Sequence, residues 1–265
     1  MRYQARIDRY TGRGFQQTDA QILVLMEEAA AALFESFPER FILFGGATLV
    51  LFFDSPRLSR DLDLLATSGD LPSSEEIQAA VRFRIQAIAD AFALGRIEFG
   101  PEAATPTFHK QSVFANRSPL FTIDVTSMGG SVLESQIVKQ AIADAPRDSI
   151  LTPGANYLLL QKCESFLGRR YLKTRDAFDI YLLLSRGAQL GETLRAHLHD
   201  FLVIQELDKE SIVARIEAVT PNLCTVELRP VLPPFLFEQL ERNEFETLRS
   251  ALRTAFSDYV GEAPQ

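Results

Sequence analysis

Cysteine, surplus basic charge and long apolar runs are all scarce in this chain, and each scarcity closes off a class of protein. Only two cysteines occur, Cys163 and Cys224. They are too few for a metal cluster and lack CxxC spacing, so neither a zinc site nor a disulfide scaffold is expected, and the compartment is read as reducing. Basic residues number 27 against 35 acidic ones, a net charge of −8. A generic basic nucleic-acid binder is thereby excluded, and any RNA contact has to come from a local patch. No apolar stretch approaches the roughly 18–20 residues of a membrane span. One of the longest, Ile42–Val50, contains two glycines. The opening MRYQARIDRY carries charge and no apolar signal core, which points to a cytoplasmic protein. Repeats and low-complexity runs are missing as well. The three histidines, His109, His197 and His199, show no metal-ligand spacing and are expected at the surface.

What is present is the makeup of an ordinary globular protein, with 46% apolar and 23% charged residues over 265 positions, enough for one large domain or two small ones. TDAQILVLMEEAAAALFESF reads as a helix from Thr18, with a capping box at Thr18 and Gln21, an apolar stripe of Ile22, Leu23, Met26, Ala30 and Leu33, and a stop at Pro38. FILFGGATLVLFF reads as a short buried strand, a break at Gly45-Gly46 and a helix from Ala47 to Phe53. A strand is expected at Leu62–Leu65, then a helix capped by Ser73 and Glu76 that stops near Gly95. Three strand-like runs follow, Arg96–Phe99, Thr107–Ala115 and Leu120–Thr126, interrupted by Pro101, Pro106 and the Asn116–Pro119 turn. After about Pro146 the β signal fades. Tyr157–Leu167, Ala177–Ser185, Ser211–Val219 and Phe235–Tyr259 favour helix, with Pro233-Pro234 as a helix start and a soft boundary between about Ala143 and Pro153.

The chemistry concentrates in Phe44-Gly45-Gly46-Ala47 and in Arg57-Leu58-Ser59-Arg60-Asp61-Leu62-Asp63-Leu64. Strand alternation puts Asp61 and Asp63 on one face, about 7 Å apart, with Leu62 and Leu64 directed into the core. Two carboxylates on one face repel unless a cation neutralises them, and Mg²⁺ accepts one or two carboxylates plus substrate phosphates. Paired glycines before a helix offer close backbone approach and free N–H donors to a triphosphate. Asp124 is a lone acid in the apolar run Phe121–Val125. It reads either as a third carboxylate beside Asp61 and Asp63 or as an edge-strand residue facing water. Further on, Asp176 and Asp179 share a helix face, and Lys162 on the preceding helix can return to it across the Gly168–Lys173 connection. Residues 162–175 hold five basic side chains and one acid, a local excess of about +4. That segment is either a solvated helix–turn–helix corner or a contact for phosphate or RNA backbone. Cys163 and the apolar residues Leu240, Leu248, Leu252 and Phe256 read as packing.

Gly45-Gly46 followed by the Arg-x-Ser-x-Asp-x-Asp arrangement of Arg57, Ser59, Asp61 and Asp63 resembles the first motif of the polymerase-beta-like nucleotidyltransferases, specifically the AbiEii/AbiGii-type toxin family. Lys162-Cys163-Glu164, then Arg175-Asp176-Ala177-Phe178-Asp179-Ile180-Tyr181, resembles that family's Lys followed by Arg-Asp-x-x-Asp-[Ile/Leu]-Tyr. The resemblance implies an α+β fold: residues 1–145 form a nucleotidyltransferase core, a mixed sheet flanked by helices, and residues 146–265 a helical part that completes the active site. It implies an Mg²⁺-dependent enzyme that moves NMP from an NTP to an acceptor, the end of a tRNA, as the toxin of a toxin–antitoxin pair with a separately encoded antitoxin. On this reading Asp61, Asp63 and Asp124 bind metal, with Asp124 also a general-base candidate. Gly45 and Gly46 cradle phosphates, assisted by Ser59 or Arg57. Lys162 contacts the triphosphate, Asp176 belongs to the active site, and Asp179 orients Lys162 or Arg175. A protein or small-molecule acceptor, and a non-catalytic binding protein on the same fold, are the alternatives.

Overall fold

The computed structural model describes residues 3–67, 71–105, 107–127, 136–142 and 145–260. They form two compact units, Met1–Pro153 and Gly154–Gln265. No helix among the described residues is long and apolar enough to cross a membrane.

The first unit is an α+β layer. Helices α1 (Gln4–Thr11) and α2 (Gln17–Ser36) lead into β1 (Phe41–Phe44), α3 (Gly45–Phe52), β2 (Asp61–Ala66) and α4 (Ser74–Ala91). Then come β3 (Ile97–Thr105), β4 (Phe108–Ala115), β5 (Ser118–Ser127) and the hairpin β6 (Ile137–Ile142) and β7 (Ala145–Pro153). The main sheet runs β1-β2-β5-β4-β3. It is mixed, since β2 and β5 are parallel while every other pair is antiparallel. Alternation sets its two faces. Leu62, Leu64, Ile123, Val125, Val113 and Ala115 are buried in the core, where α2 and α4 pack on the sheet. Asp61, Asp63, Thr122 and Asp124, at the intervening positions, stay partly exposed. The wide sequence separation of β2 and β5 is bridged by α4, β3 and β4, the crossover that a parallel pair requires.

Several local expectations are corrected. Helix α2 starts at Gln17 with Gln16 at its N-cap and no side-chain cap, so Thr18 lies inside the first turn. Its burial is also not a stripe: every residue from Ile22 to Phe34 is buried, because α1, α4 and β7 surround it. Strand β3 continues through the Pro101 position, with a register shift between Phe99 and Glu102. It is the sheet's edge strand, where a residue without an N–H is tolerated. Pro106 and Ala143 lie outside the described residues. The fading of β signal after about Pro146 is overturned by β7, which runs to Pro153 and pairs with β6. The Ser73–Glu76 capping box at the start of α4 is present in full.

Among its described residues the second unit has helices only: α5 (Ala155–Gly168), α6 (Thr174–Ser185), α7 (Glu192–Ile204), α8 (Lys209–Glu217), α9 (Pro221–Leu228), α10 (Pro234–Glu241), α11 (Glu246–Ala255) and α12 (Ser257–Val260). Phe235–Tyr259 is therefore three helices rather than one. The break falls at Glu244 and Phe245, both at positive φ, with the Phe245 ring fully buried. Phe166 stacks on Phe256 at 6.1 Å, and Leu240, Leu248 and Leu252 are buried around this core. His197 and His199 are exposed.

Candidate active site

In the first unit the turn from β1 into α3 and the start of β2 are built against each other. Gly45 has φ +76°, and a Cβ added there would lie 2.0 Å from Asp63 Oδ2. Only glycine combines that backbone with so close a carboxylate. A Cβ on Gly46 would meet Ser59 Oγ at 2.6 Å and Arg57 Nη2 at 2.7 Å. Arg57 is buried, its Nη1 donating to Leu58 O at 3.3 Å and its backbone N–H to Ser55 Oγ at 3.2 Å. Gly45, Gly46, Arg57, Ser59 and Asp63 are thus brought into one cluster at the N-terminus of α3, where helix N–H groups and the dipole favour an anion.

Asp61 and Asp63 share the polar face, as alternation requires. Strand β5 adds to it in register: Asp61 lies opposite Thr122 and Asp63 opposite Asp124. Thr122 Oγ1 donates to Asp61 Oδ1 at 2.9 Å. Asp124 sits between β2 and β4, so it is not on a sheet edge. Lys110, its register partner on β4, places Nζ 2.8 Å from Asp124 Oδ2. Asp124 Oδ1 is buried without a hydrogen-bond partner among the described residues. Burial lowers the Lys110 pKa, but the hydrogen bond and charge of Asp124, with Asp61 and Asp63 adding, outweigh it and the net shift is upward.

Lys110 and Thr122 were missed from sequence. Thr122-x-Asp124 is a readable alternation. The pairing of β5 with β2 and β4 that gives both residues their partners is not local and leaves no sequence trace.

The donor set suits a small divalent cation. Asp61 and Asp63 offer hard carboxylate oxygens on one face, beside a turn that leaves no room for a side chain at Gly45. Among the described residues no three His, Cys, Asp or Glu groups converge on one point. Asp61 and Asp63 make a carboxylate pair of the kind Mg²⁺ accepts when phosphates supply the rest.

In the second unit the other motif closes on itself. Lys162 of α5, nearly buried, lies 3.2 Å from Asp176 Oδ1 and 2.7 Å from Asp179 Oδ2 of α6. Asp179 thus pairs with Lys162, one of the two partners expected for it. Arg169 Nε approaches Asp176 Oδ2 at 3.0 Å, without the alignment of a hydrogen bond. Arg175 is half-buried at the start of α6. Glu227 of α9, unread in the sequence, caps that start: it accepts the Thr174 N–H at 2.7 Å and hydroxyl at 3.0 Å, with Lys173 Nζ at 3.3 Å from its other oxygen. Arg170 and Tyr171 remain outward, the guanidinium 5.2 Å from the exposed ring.

Comparison with known proteins gives the same direction. Residues 29–262 match the family model described as nucleotidyl transferase AbiEii toxin, type IV TA system. No curated relative matches the sequence. Among solved structures, a candidate nucleotidyltransferase from Helicobacter pylori superposes with a TM-score of 0.55 at 13% identity over 91% of this chain and 97% of that one. JHP933, also from Helicobacter pylori, gives 0.52 at 12% identity over 92% and 96%. MenT4, a nucleotidyltransferase toxin from Mycobacterium tuberculosis, gives 0.46 at 15% over 96% and 93%. At such identities the first two speak for the fold alone. The family match spans most of the chain, including both motif clusters, and it places this protein in the AbiEii family of nucleotidyltransferase toxins from type IV toxin–antitoxin systems.

Proposed function

We propose that this nucleotidyltransferase uses Mg²⁺ to transfer NMP from an NTP to the end of an RNA, with tRNA as the acceptor. The observation that supports the reading is the close approach of Gly45 and Asp63: a glycine turn at a helix N-terminus, suited to phosphate, pressed directly onto a strand carboxylate. Asp61 and Asp63 would hold the cation, and Asp124 is the third carboxylate of the same face. When bound, a divalent cation neutralises the phosphates and stabilises the leaving pyrophosphate. The chain's own work is positional. Backbone N–H groups at Gly45 and Gly46 bind phosphate oxygens, and Ser59 and Arg57, packed on Gly46, fix the turn and add donors. Thr122 orients Asp61 through its hydroxyl. From the second unit we assign Lys162 to the triphosphate and Asp176 to the reaction, with Asp179 holding the ammonium in place and Arg175 as a further phosphate contact. Arg170 and Tyr171, exposed on the connection between α5 and α6, suit an RNA phosphate and a stacked base.

Incubation of the protein with each labelled NTP, Mg²⁺ and total tRNA is expected to label tRNA, with one NTP preferred. Chelation of divalent ions should stop the transfer, and Asp63→Asn should abolish it while leaving the melting temperature unchanged or slightly raised, since carboxylate repulsion is relieved. Label on protein or a small molecule would replace the acceptor. Full activity of Asp63→Asn would overturn the site.

A further inference from the structure

Two-metal phosphoryl-transfer sites use a second divalent cation to share the charge of the attacking and leaving oxygens. The polar face of this sheet carries an ammonium among its carboxylates. Asp63, Asp124 and Lys110 occupy directly opposed positions on three adjacent strands, β2, β5 and β4, about 4.8 Å apart from strand to strand. The Lys110 ammonium is bonded to Asp124 Oδ2 at 2.8 Å. Asp124 Oδ2 is taken by the ammonium, and among the described residues Asp61, Asp63 and Asp124 are not gathered around a common point. The charges agree. The ammonium stands beside three carboxylates and brings one of the positive charges that a second cation would otherwise supply. We infer that Lys110 takes the place of a second divalent cation, so that the face binds one ion, held by Asp61 and Asp63, while Asp124 serves to fix the ammonium.

The inference rests on the metal-site reading above and adds a positioning residue that lies outside both sequence motifs. Methionine at position 110 keeps the aliphatic length of lysine and removes its charge, freeing Asp124 to form a second carboxylate pair with Asp63. Arginine keeps the charge.

The test counts Mn²⁺ bound by the full-length protein in the absence of nucleotide, by electron paramagnetic resonance titration of free Mn²⁺. The ions scored are those lost in Asp63→Asn. The expected result is one such ion for the wild type, two for Lys110→Met and one for Lys110→Arg. Two ions in the wild type, or one in Lys110→Met, would overturn the role of Lys110 and leave the metal site standing. No Asp63-dependent ion in the wild type would overturn the metal site itself, and the inference with it. Should Lys110→Met fail to fold, Lys110→Gln removes the same charge and is judged by the same count.

Discussion

Two glycines of this chain share a left-handed backbone and differ in what surrounds them, and the comparison separates strain from chemistry. Gly45 has φ +76° with Asp63 Oδ2 2.0 Å from where a methyl would stand; Gly187 has φ +83° with nothing within 4 Å. Alanine at either position costs on the order of 1–3 kcal/mol of backbone strain. At Gly45 the methyl must also drive the carboxylate away. Gly187→Ala is therefore expected to lower the melting temperature and keep nucleotidyl transfer. Gly45→Ala should lower it and also eliminate transfer and Asp63-dependent Mn²⁺ binding. Equal loss of activity in both variants would show that the Gly45 contact has no special bearing on the site. The same residue scale is where sequence was most informative: a pair of glycines, and acids at i and i+2 on a strand, declare their geometry locally. Lys110 and Glu227 could not be read, because each earns its role from a partner on another element.

Between elements, α5 and α6 are joined by charge as well as by packing. Lys162 faces two carboxylates in a nearly dry setting, and removing it leaves both without their shared cation. Breaking such a buried pair costs about 3–5 kcal/mol, so Lys162→Met should lose that much in denaturant unfolding. Adding Asp179→Asn should restore at least about 1 kcal/mol, because it removes one of the two carboxylates that Lys162 pairs. Additive losses would mean the ammonium does not serve Asp179. The thiols give a second check on these helices. Burial raises Cys163 above the range in which thiols ionise. Burial also pushes Cys224 up to about 12, with Arg249 pulling the other way and Glu227 adding to the rise. Neither should react with a disulfide reagent at pH 8 in the native protein, and both should react once it is unfolded; fast reaction of one in the native state would contradict its burial. Element type was legible wherever one period ran unbroken, as in α4, α5 and α6. It was lost where short elements meet. The β6–β7 hairpin contains Pro146 and Pro153 and little alternation, and the division of α10 from α11 depends on a buried phenylalanine at positive φ, which no local propensity favours.

Over the whole molecule the net charge of −8 conceals how selectively acids are buried. In the first unit α2 carries Glu27 and Glu28 inside the core, a placement its apolar pattern gave no reason to expect. Arg6, Arg9 and Tyr10 of α1 converge on Glu27, and Arg6 also pairs with Glu28. Arg84 of α4 reaches Glu28 at 2.5 Å. This network ties three helices together and makes the stability of the unit depend on pH. Burial alone would push the Glu28 carboxyl up, but hydrogen bonds and charge from Arg6 and Arg84 more than reverse it, and its folded pKa lies below the ordinary carboxylate value. A carboxyl with a depressed folded pKa contributes stability that is complete above its unfolded pKa and disappears as pH falls through the folded one. Glu28→Gln removes that contribution at every pH, and it leaves Arg6 and Arg84 short of a counter-charge. At pH 7 the variant should be about 3–5 kcal/mol less stable in urea. As pH falls through the ordinary carboxylate range towards 3, the wild type loses the ionised partner too, and the two midpoints should converge. A gap of constant size across that range would assign the loss to packing of the side chain rather than to its charge.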